Sequence, residues 1–176
     1  MGEINKKIFQ SQVLGDSNMI FVTIGMHSQG FDRLIKKMDE IASKIDEEVI
    51  MQIGTSRYKP KNAVYFDFIN DFEKVKKLNR KARVVVCHGG AGTIITALDE
   101  GKPVIAVPRL KKYGEHINDH QLELVDVLSN IGKILAVYDI ELLEKALKNP
   151  FANNNKKVER DHNIVRKIRE YLDMLN

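Results

Sequence analysis

The stretch His88–Gln121, HGGAGTIITALDEGKPVIAVPRLKKYGEHINDHQ, decides how this chain is read. It comes after an apolar, β-branched run, Arg83-Val84-Val85-Val86-Cys87, which stops at His88-Gly89-Gly90-Ala91-Gly92-Thr93. A helical pattern then begins with Ile94, Ile95 and Leu98, so a buried parallel strand is predicted to feed a glycine turn into a helix. Glycines let the backbone approach a ligand closely, and the free N–H groups of a first helical turn, at the positive end of the helix dipole, suit a diphosphate. The Thr93 hydroxyl can donate to the same anion. Taken alone, Gly89, Gly90 and Gly92 also fit nothing more than a tight strand–helix turn.

Residues beyond this turn narrow the choice. Gly101-Lys102-Pro103 leads into a second apolar strand, Val104-Ile105-Ala106-Val107, which ends at Pro108. Successive strand–helix units of this kind build a parallel sheet with ligands at the carboxyl ends of its strands, so His88 and the loop after Pro108 are expected to face one crevice. That loop carries Arg109, Lys111, Lys112, Tyr113, Glu115, His116, Asn118, Asp119, His120 and Gln121, more polar groups than folding requires.

The same alternation extends both ways. Met19–Ile24 reads as a strand ending at Gly25-Met26-His27-Ser28-Gln29-Gly30, and Phe31, Leu34, Ile35, Met38, Ile41, Ala42 and Ile45 recur at helical spacing. Glu48–Ile53 is a strand ending at Gly54-Thr55-Ser56, Ala63–Ile69 another, and a helix spans about Asp71 to Lys81. After Gln121 a helix runs to about Asn130, Gly132–Val137 returns as a sixth strand, and a helix covers about Ile140 to Leu147. Six strands alternating with helices predict a Rossmann-like, doubly wound α/β sheet over residues 19–148. Residues 1–18 are polar and aperiodic and read as a leader or appended extension, and 149–155 as a linker. The tail, 156–176, places Val158, Val165, Ile168, Leu172 and Leu175 on one helical stripe, which docks on its own domain or on a partner chain.

Composition adds bounds. At 176 residues the chain is one domain with room for a sizeable core. Its single cysteine, Cys87, excludes an internal disulfide and suits a reducing compartment. No apolar run approaches the ~20 residues that cross a bilayer. A net charge of +4, with lysine pairs at Lys36-Lys37, Lys76-Lys77, Lys111-Lys112 and Lys156-Lys157, favours anionic partners. Without a helix-turn-helix, a zinc pattern or an aromatic-rich basic stripe, nucleic acid is not expected among them.

The order of Gly89–Thr93, Gly101-Lys102-Pro103, Val107-Pro108 and Asn118-Asp119-His120-Gln121-Leu122-Glu123-Leu124 resembles the donor half of the glycosyltransferase family 28 C-terminal domain, within the two-domain GT-B superfamily. The likeness covers Met19 to about Leu147. It is similar in particular to the small single-domain members, which include the donor subunit of the eukaryotic two-part N-acetylglucosamine transferase and bacterial counterparts in capsule and exopolysaccharide synthesis. Pro108–His116 looks like the bacterial branch. The resemblance implies a UDP-sugar donor, a diphosphate held by His88, Gly89, Gly90, Ala91, Gly92 and Thr93 with Arg109 assisting, and a donor sugar held by Glu115, Asn118, Asp119, His120 and Gln121. It places Gly25 and Ser28 of the first loop, and Gly54 and Thr55 of the second, beside the donor, and the uracil edge at Phe68 and Ile69. Many relatives bind the ribose with a glutamate where this chain has Thr96; Glu100, one turn on, is a substitute or a solvated residue.

Half of a GT-B enzyme lacks an acceptor site, so the resemblance further implies a membrane-associated partner subunit, a lipid-linked saccharide acceptor, and a peripheral cytoplasmic location at the inner face of the membrane. The expected reaction is inverting. With no Asp-x-Asp motif and no His/Cys cluster, neither metal nor cofactor is expected. His27, Glu115 and His116 are the local candidates for the catalytic base, with a base from the partner preferred. Two rivals stand beside this reading: a nicotinamide-dependent oxidoreductase, which should show G-x-G-x-x-G where Gly90-x-Gly92 is followed by Ile95, and a binding-only subunit that loads donor without turnover.

Overall fold

A computed structural model describes residues 18–117 and 120–151, together with Arg166. Its centre is a six-stranded, all-parallel sheet in the order β3-β2-β1-β4-β5-β6. The strands are β1 (Met19–Thr23), β2 (Glu48–Gln52), β3 (Val64–Phe66), β4 (Val84–Cys87), β5 (Val104–Ala106) and β6 (Leu135–Ala136). This is the doubly wound topology expected, and its strand order reverses between β1 and β4.

Burial on both faces explains why β1 and β4 read as unbroken apolar runs: every residue of Met19–Thr23 and of Val84–Cys87 is buried. On one face, Ile20, Val22, Val84 and Val86 pack under α1 (Asp32–Ala42) through Leu34, Ile35, Met38 and Ile41, and under α5 (Leu143–Lys148) through Leu143 and Leu147. On the other, Phe21, Val85 and Cys87 meet α2 (Phe72–Lys81), α3 (Ala91–Asp99) and α4 (His120–Asn130) through Leu78, Ile94, Ala97, Leu124, Val125 and Leu128. Cys87 is wholly buried, and burial pushes its thiol up to about 12, so it serves as a small core residue.

Some boundaries differ from the sequence reading. The strand expected to reach Ile69 ends at Phe66, because β3 is an edge strand whose single neighbour, β2, stops at Gln52. Pairing fades one residue later, with the Gly54 amide donating to the Asp67 carbonyl at 3.0 Å. The sixth strand shrinks to Leu135–Ala136 for the same reason, and the helix near Ile140 opens with a 3₁₀ turn, Ile140–Leu142. The leader, most of the linker and the C-terminal amphipathic helix fall outside the described residues, apart from Asn18, Asn149–Phe151 and Arg166. No helix of the described residues is long and apolar enough to cross a membrane.

Candidate functional site

The carboxyl ends of β1 and β4 flank the point where the strand order reverses, and His88 occupies it. It is 7 % exposed, with its imidazole wedged between two glycines. A Cβ on Gly25 would lie 2.6 Å from His88 Cε1, and one on Gly90 only 2.3 Å from His88 Nε2. Gly25 also has φ +71°, a conformation that favours glycine. Burial, and then the positive charge of Arg109, hold His88 down at about 4, so at neutral pH it is an uncharged imidazole. The Thr23 backbone also hydrogen-bonds to the ring, opposing but not reversing that shift, so His88 brings no full charge to a diphosphate.

Beyond His88 the chain turns into α3. Gly89, at φ +88°, is pressed against α4, where a Cβ would meet Val125 Cγ2 at 2.8 Å. Gly90 is the N-cap and provides no side-chain hydrogen bond, which leaves the amides of Ala91, Gly92 and Thr93 without an internal cap. By contrast, Asp71 caps α2 by accepting from the Glu73 and Lys74 amides. Gly92 is exposed, and a Cβ there would meet nothing within 4 Å. An uncapped helix start with an exposed glycine in its first turn is suited to an anion.

The loop after β5 is arranged differently from expectation. Arg109, expected to assist at the diphosphate, is instead fully buried and donates to the carbonyls of Gly30 (2.8 Å), Ile24 (3.1 Å) and Glu115 (3.2 Å). It ties the β1 loop to the β5 loop. Burial lowers its pKa to about 10, against the opposing pull of Glu115, so it stays charged at neutral pH. Glu115, expected to serve as base or sugar ligand, is also engaged: its carboxylate accepts from Arg33 Nε and Nη2, both at 2.8 Å, and from the Leu110 amide at 3.0 Å. Arg33 is a site residue that sequence reasoning misses. It sits in the first turn of α1, 82 residues from Glu115, and nothing local to either residue signals the pairing.

His27 and His116 come together, ring centroids 5.1 Å apart and planes tilted by 36°. His27 Nδ1 accepts the Gln29 amide at 3.1 Å, so in the neutral ring the proton is on Nε2. Burial, then Arg109 and His116, lower its pKa. Neutral His27 therefore presents a donor and no free acceptor nitrogen, the wrong polarity for the expected base. Exposed Met26 and Ile117, at 79 % and 72 %, flank the pair in sequence.

The other expected contacts are dispersed along the same edge. Thr55 donates its hydroxyl to the Ser28 carbonyl at 2.8 Å, joining the first and second loops. Phe68 is half-exposed, and its ring lies 3.5 Å from where a Cβ on Gly54 would stand, while Ile69 packs against the α3-side core. Thr96 donates to the Gly92 carbonyl at 2.8 Å, and Glu100 pairs with Arg80 at 3.4 Å. Gln121 Oε1 is buried without a hydrogen-bond partner among the described residues. Asn118 and Asp119 lie outside the described residues, as does the side chain of His120. Among the described residues, no group of three His, Cys, Asp or Glu side chains is placed to hold a metal ion.

Human UDP-N-acetylglucosamine transferase subunit ALG13 is 32% identical over 125 residues, which is 65% of this chain and 10% of that protein. The subunit so named from Cryptococcus neoformans var. neoformans serotype D (strain JEC21 / ATCC MYA-565) is 36% identical over 86 residues, 48% of this chain and 38% of that one. The chain thus spans only a minor part of these relatives. Among solved structures, the glycotransferase of kitacinnamycin superposes with a TM-score of 0.66 at 19% identity, over 91% of this chain and 41% of that one. An NMR solution structure of ALG13 gives a TM-score of 0.58 at 16% identity, over 89% of this chain and 96% of that one. At such identities the structures speak for the fold alone. Residues 19–173 match the glycosyltransferase family 28 C-terminal domain, and the chain belongs to that family.

Proposed function

We propose that this chain is the UDP-sugar-binding half of an inverting, metal-independent glycosyltransferase. It transfers a hexose, either galactose, N-acetylglucosamine or glucuronic acid, to a lipid-linked acceptor in polysaccharide biosynthesis of the bacterial capsule or exopolysaccharide type. A membrane-associated partner binds the acceptor and holds this chain at the inner face of the membrane. The observation that carries the reading is the uncapped start of α3, with exposed Gly92 in its first turn, at the edge where the strand order reverses.

In this reaction an acceptor hydroxyl attacks the anomeric carbon, and the bond from that carbon to the diphosphate oxygen breaks. UDP departs with the electron pair. The amides of Ala91, Gly92 and Thr93 and the dipole of α3 stabilise that charge, where a single well-placed donor is worth about 3 kcal/mol. The acceptor's proton goes to a base on the partner, a role supported by the engaged carboxylate of Glu115 and the occupied Nδ1 of His27. Phe68 and Ile69 read the uracil through their backbone, and Gln121, with its buried and unpaired Oε1, turns to the donor sugar.

Calorimetry of the chain against UDP and a panel of UDP-sugars is the first test, and no binding of UDP at millimolar concentration would overturn the proposal. Co-expression with the neighbouring gene product is the second. Transfer by the pair and none by either half is the expected outcome, whereas reduction of a nicotinamide by this chain would replace the reading. The occupied acceptor atoms also favour a binding-only role for the isolated chain, which predicts donor binding without hydrolysis of the donor.

A further inference from the structure

Arg33, in the first turn of α1, has no task in the transfer described above, yet its guanidinium is committed to the loop after β5. Its Nε and Nη2 donate to the two carboxylate oxygens of Glu115, each at 2.8 Å, and Nη2 also donates to the Pro108 carbonyl at 3.0 Å. Glu115 in turn accepts the Leu110 amide at 3.0 Å. One planar group thus fastens the loop at both ends, Pro108 and Glu115. The side chains of the pair are only 18 % and 9 % exposed, so it is screened less than a surface ion pair and keeps its geometry.

Aromatic rings extend the anchorage. The Arg33 guanidinium carbon lies 5.2 Å from the Phe31 ring centroid and 5.0 Å from that of Tyr113, in the 3₁₀ turn Lys111–Tyr113. Arg109 lies 4.9 Å from the Phe31 ring centroid and donates to the Glu115 carbonyl. One arginine therefore holds the backbone of Glu115 and another its carboxylate. Directly downstream, His116 meets His27 of the β1 loop, and Gln121, with its buried Oε1, stands in the first turn of α4. A displacement of Glu115 is passed along this short connection to both.

We propose that Arg33 is a positioning residue for donor-sugar selection: by fixing Pro108 to Glu115 it sets where the approach to α4, and with it Gln121, meets the sugar. This rests on the UDP-sugar reading above. Hexoses differ in the direction or substitution of single groups, so a site tells them apart only while its hydrogen-bonding groups are held in place by a supporting layer. Arg33 supplies that support without touching the donor, and the uridine diphosphate, held at α3, does not depend on it.

The test is calorimetry of the full chain with UDP, UDP-galactose, UDP-N-acetylglucosamine and UDP-glucuronic acid, read as the affinity ratio of the tightest to the weakest UDP-sugar. R33M should bring that ratio to within about twofold of unity, while UDP affinity changes less than about twofold. R33K, which retains the charge without the planar fork, should give an intermediate ratio. E115Q should lower the ratio, and R33M/E115Q should go no further than R33M, because both residues act through one pair. An undiminished ratio in R33M, or an equal loss of UDP and UDP-sugar affinity, would overturn the proposal and leave the donor reading intact. So would a lowered ratio in E115Q with none in R33M, which would make Glu115 itself a sugar ligand, or a parent chain that binds all three UDP-sugars alike. If R33M does not fold, R33K and E115Q decide by the same readout. A parent that binds no UDP removes the donor reading and this proposal together.

Discussion

Gly90 and Gly92 lie two residues apart and are glycine for different reasons. Gly90 yields to the His88 imidazole, which a Cβ would meet at 2.3 Å, while Gly92 faces space that no atom of the chain fills within 4 Å. Gly90→Ala should therefore cost about 1–3 kcal/mol by overpacking, read in denaturant melts. Gly92→Ala should leave stability equal or higher by up to about 1 kcal/mol, because alanine is the better helix former, yet weaken UDP binding on the order of tenfold in calorimetry, since its methyl enters the space before the α3 amides. An unchanged UDP affinity in Gly92→Ala would remove the main support for the donor site. His88 carries a pH signature. Its folded pKa of about 4 lies below the ordinary 6.5, so the unfolded chain binds the extra proton between those values. Stability from this group is complete above about pH 6.5 and is lost as pH falls towards 4, a change of roughly 3 kcal/mol. His88→Gln should lose that much less stability than the parent between pH 7 and pH 4, and parallel slopes would refute the assignment. The glycine run was legible as a close backbone approach, but its division between imidazole packing and ligand space depends on Gly25, 63 residues upstream of His88, and could not be read locally.

At the scale of elements, the loops after β1 and β5 behave as one unit because Arg109 spans them. Replacing it with leucine leaves the carbonyls of Gly30, Ile24 and Glu115 buried without their donor. Each unsatisfied group costs about 1–3 kcal/mol, so Arg109→Leu should destabilise by about 3 kcal/mol or more. Arg109→Lys should recover less than half, since one ammonium cannot reproduce a planar fork that reaches three carbonyls. Equal stability of the lysine variant and the parent would show that charge alone matters there. The polar β5 loop signalled a functional loop in the sequence, and the structure divides it: Arg109 and Glu115 build it, while Gln121 retains an unpaired buried oxygen. Residue types do not reveal such a division, because the partners of Glu115 and Arg109 on the first loop and α1 are more than 75 residues away. Strands were more legible than their ends. Runs such as Val84–Cys87 are apolar throughout because both faces are covered, whereas β3 and β6 stop early because an edge strand has one hydrogen-bonding neighbour.

For the whole molecule, the order β3-β2-β1-β4-β5-β6 with all strands parallel brings every strand's carboxyl end to one edge. That arrangement was readable from alternation alone, since strand–helix repeats with apolar strands admit few other packings. It sets where a donor can act on the rest of the fold. The two cores lie on opposite faces of the sheet, while the β1, β4 and β5 loops are tied together at the edge through Arg109 and His88. UDP at 100 times its dissociation constant should add about 2.7 kcal/mol to the stability of the folded chain. For a domain of this size that raises the melting temperature on the order of 5–10 °C. Amide exchange should slow chiefly over Gly25–Gly30, Phe68–Ile69, His88–Thr93 and Arg109–Ile117, with the opposite edge, around Glu47, Arg83 and Leu147, changing only as far as global stability changes. Protection distributed evenly over both edges would mean that UDP acts through general stabilisation and has no seat at the α3 start, and the absence of any thermal shift at saturating UDP would count against donor binding by this chain.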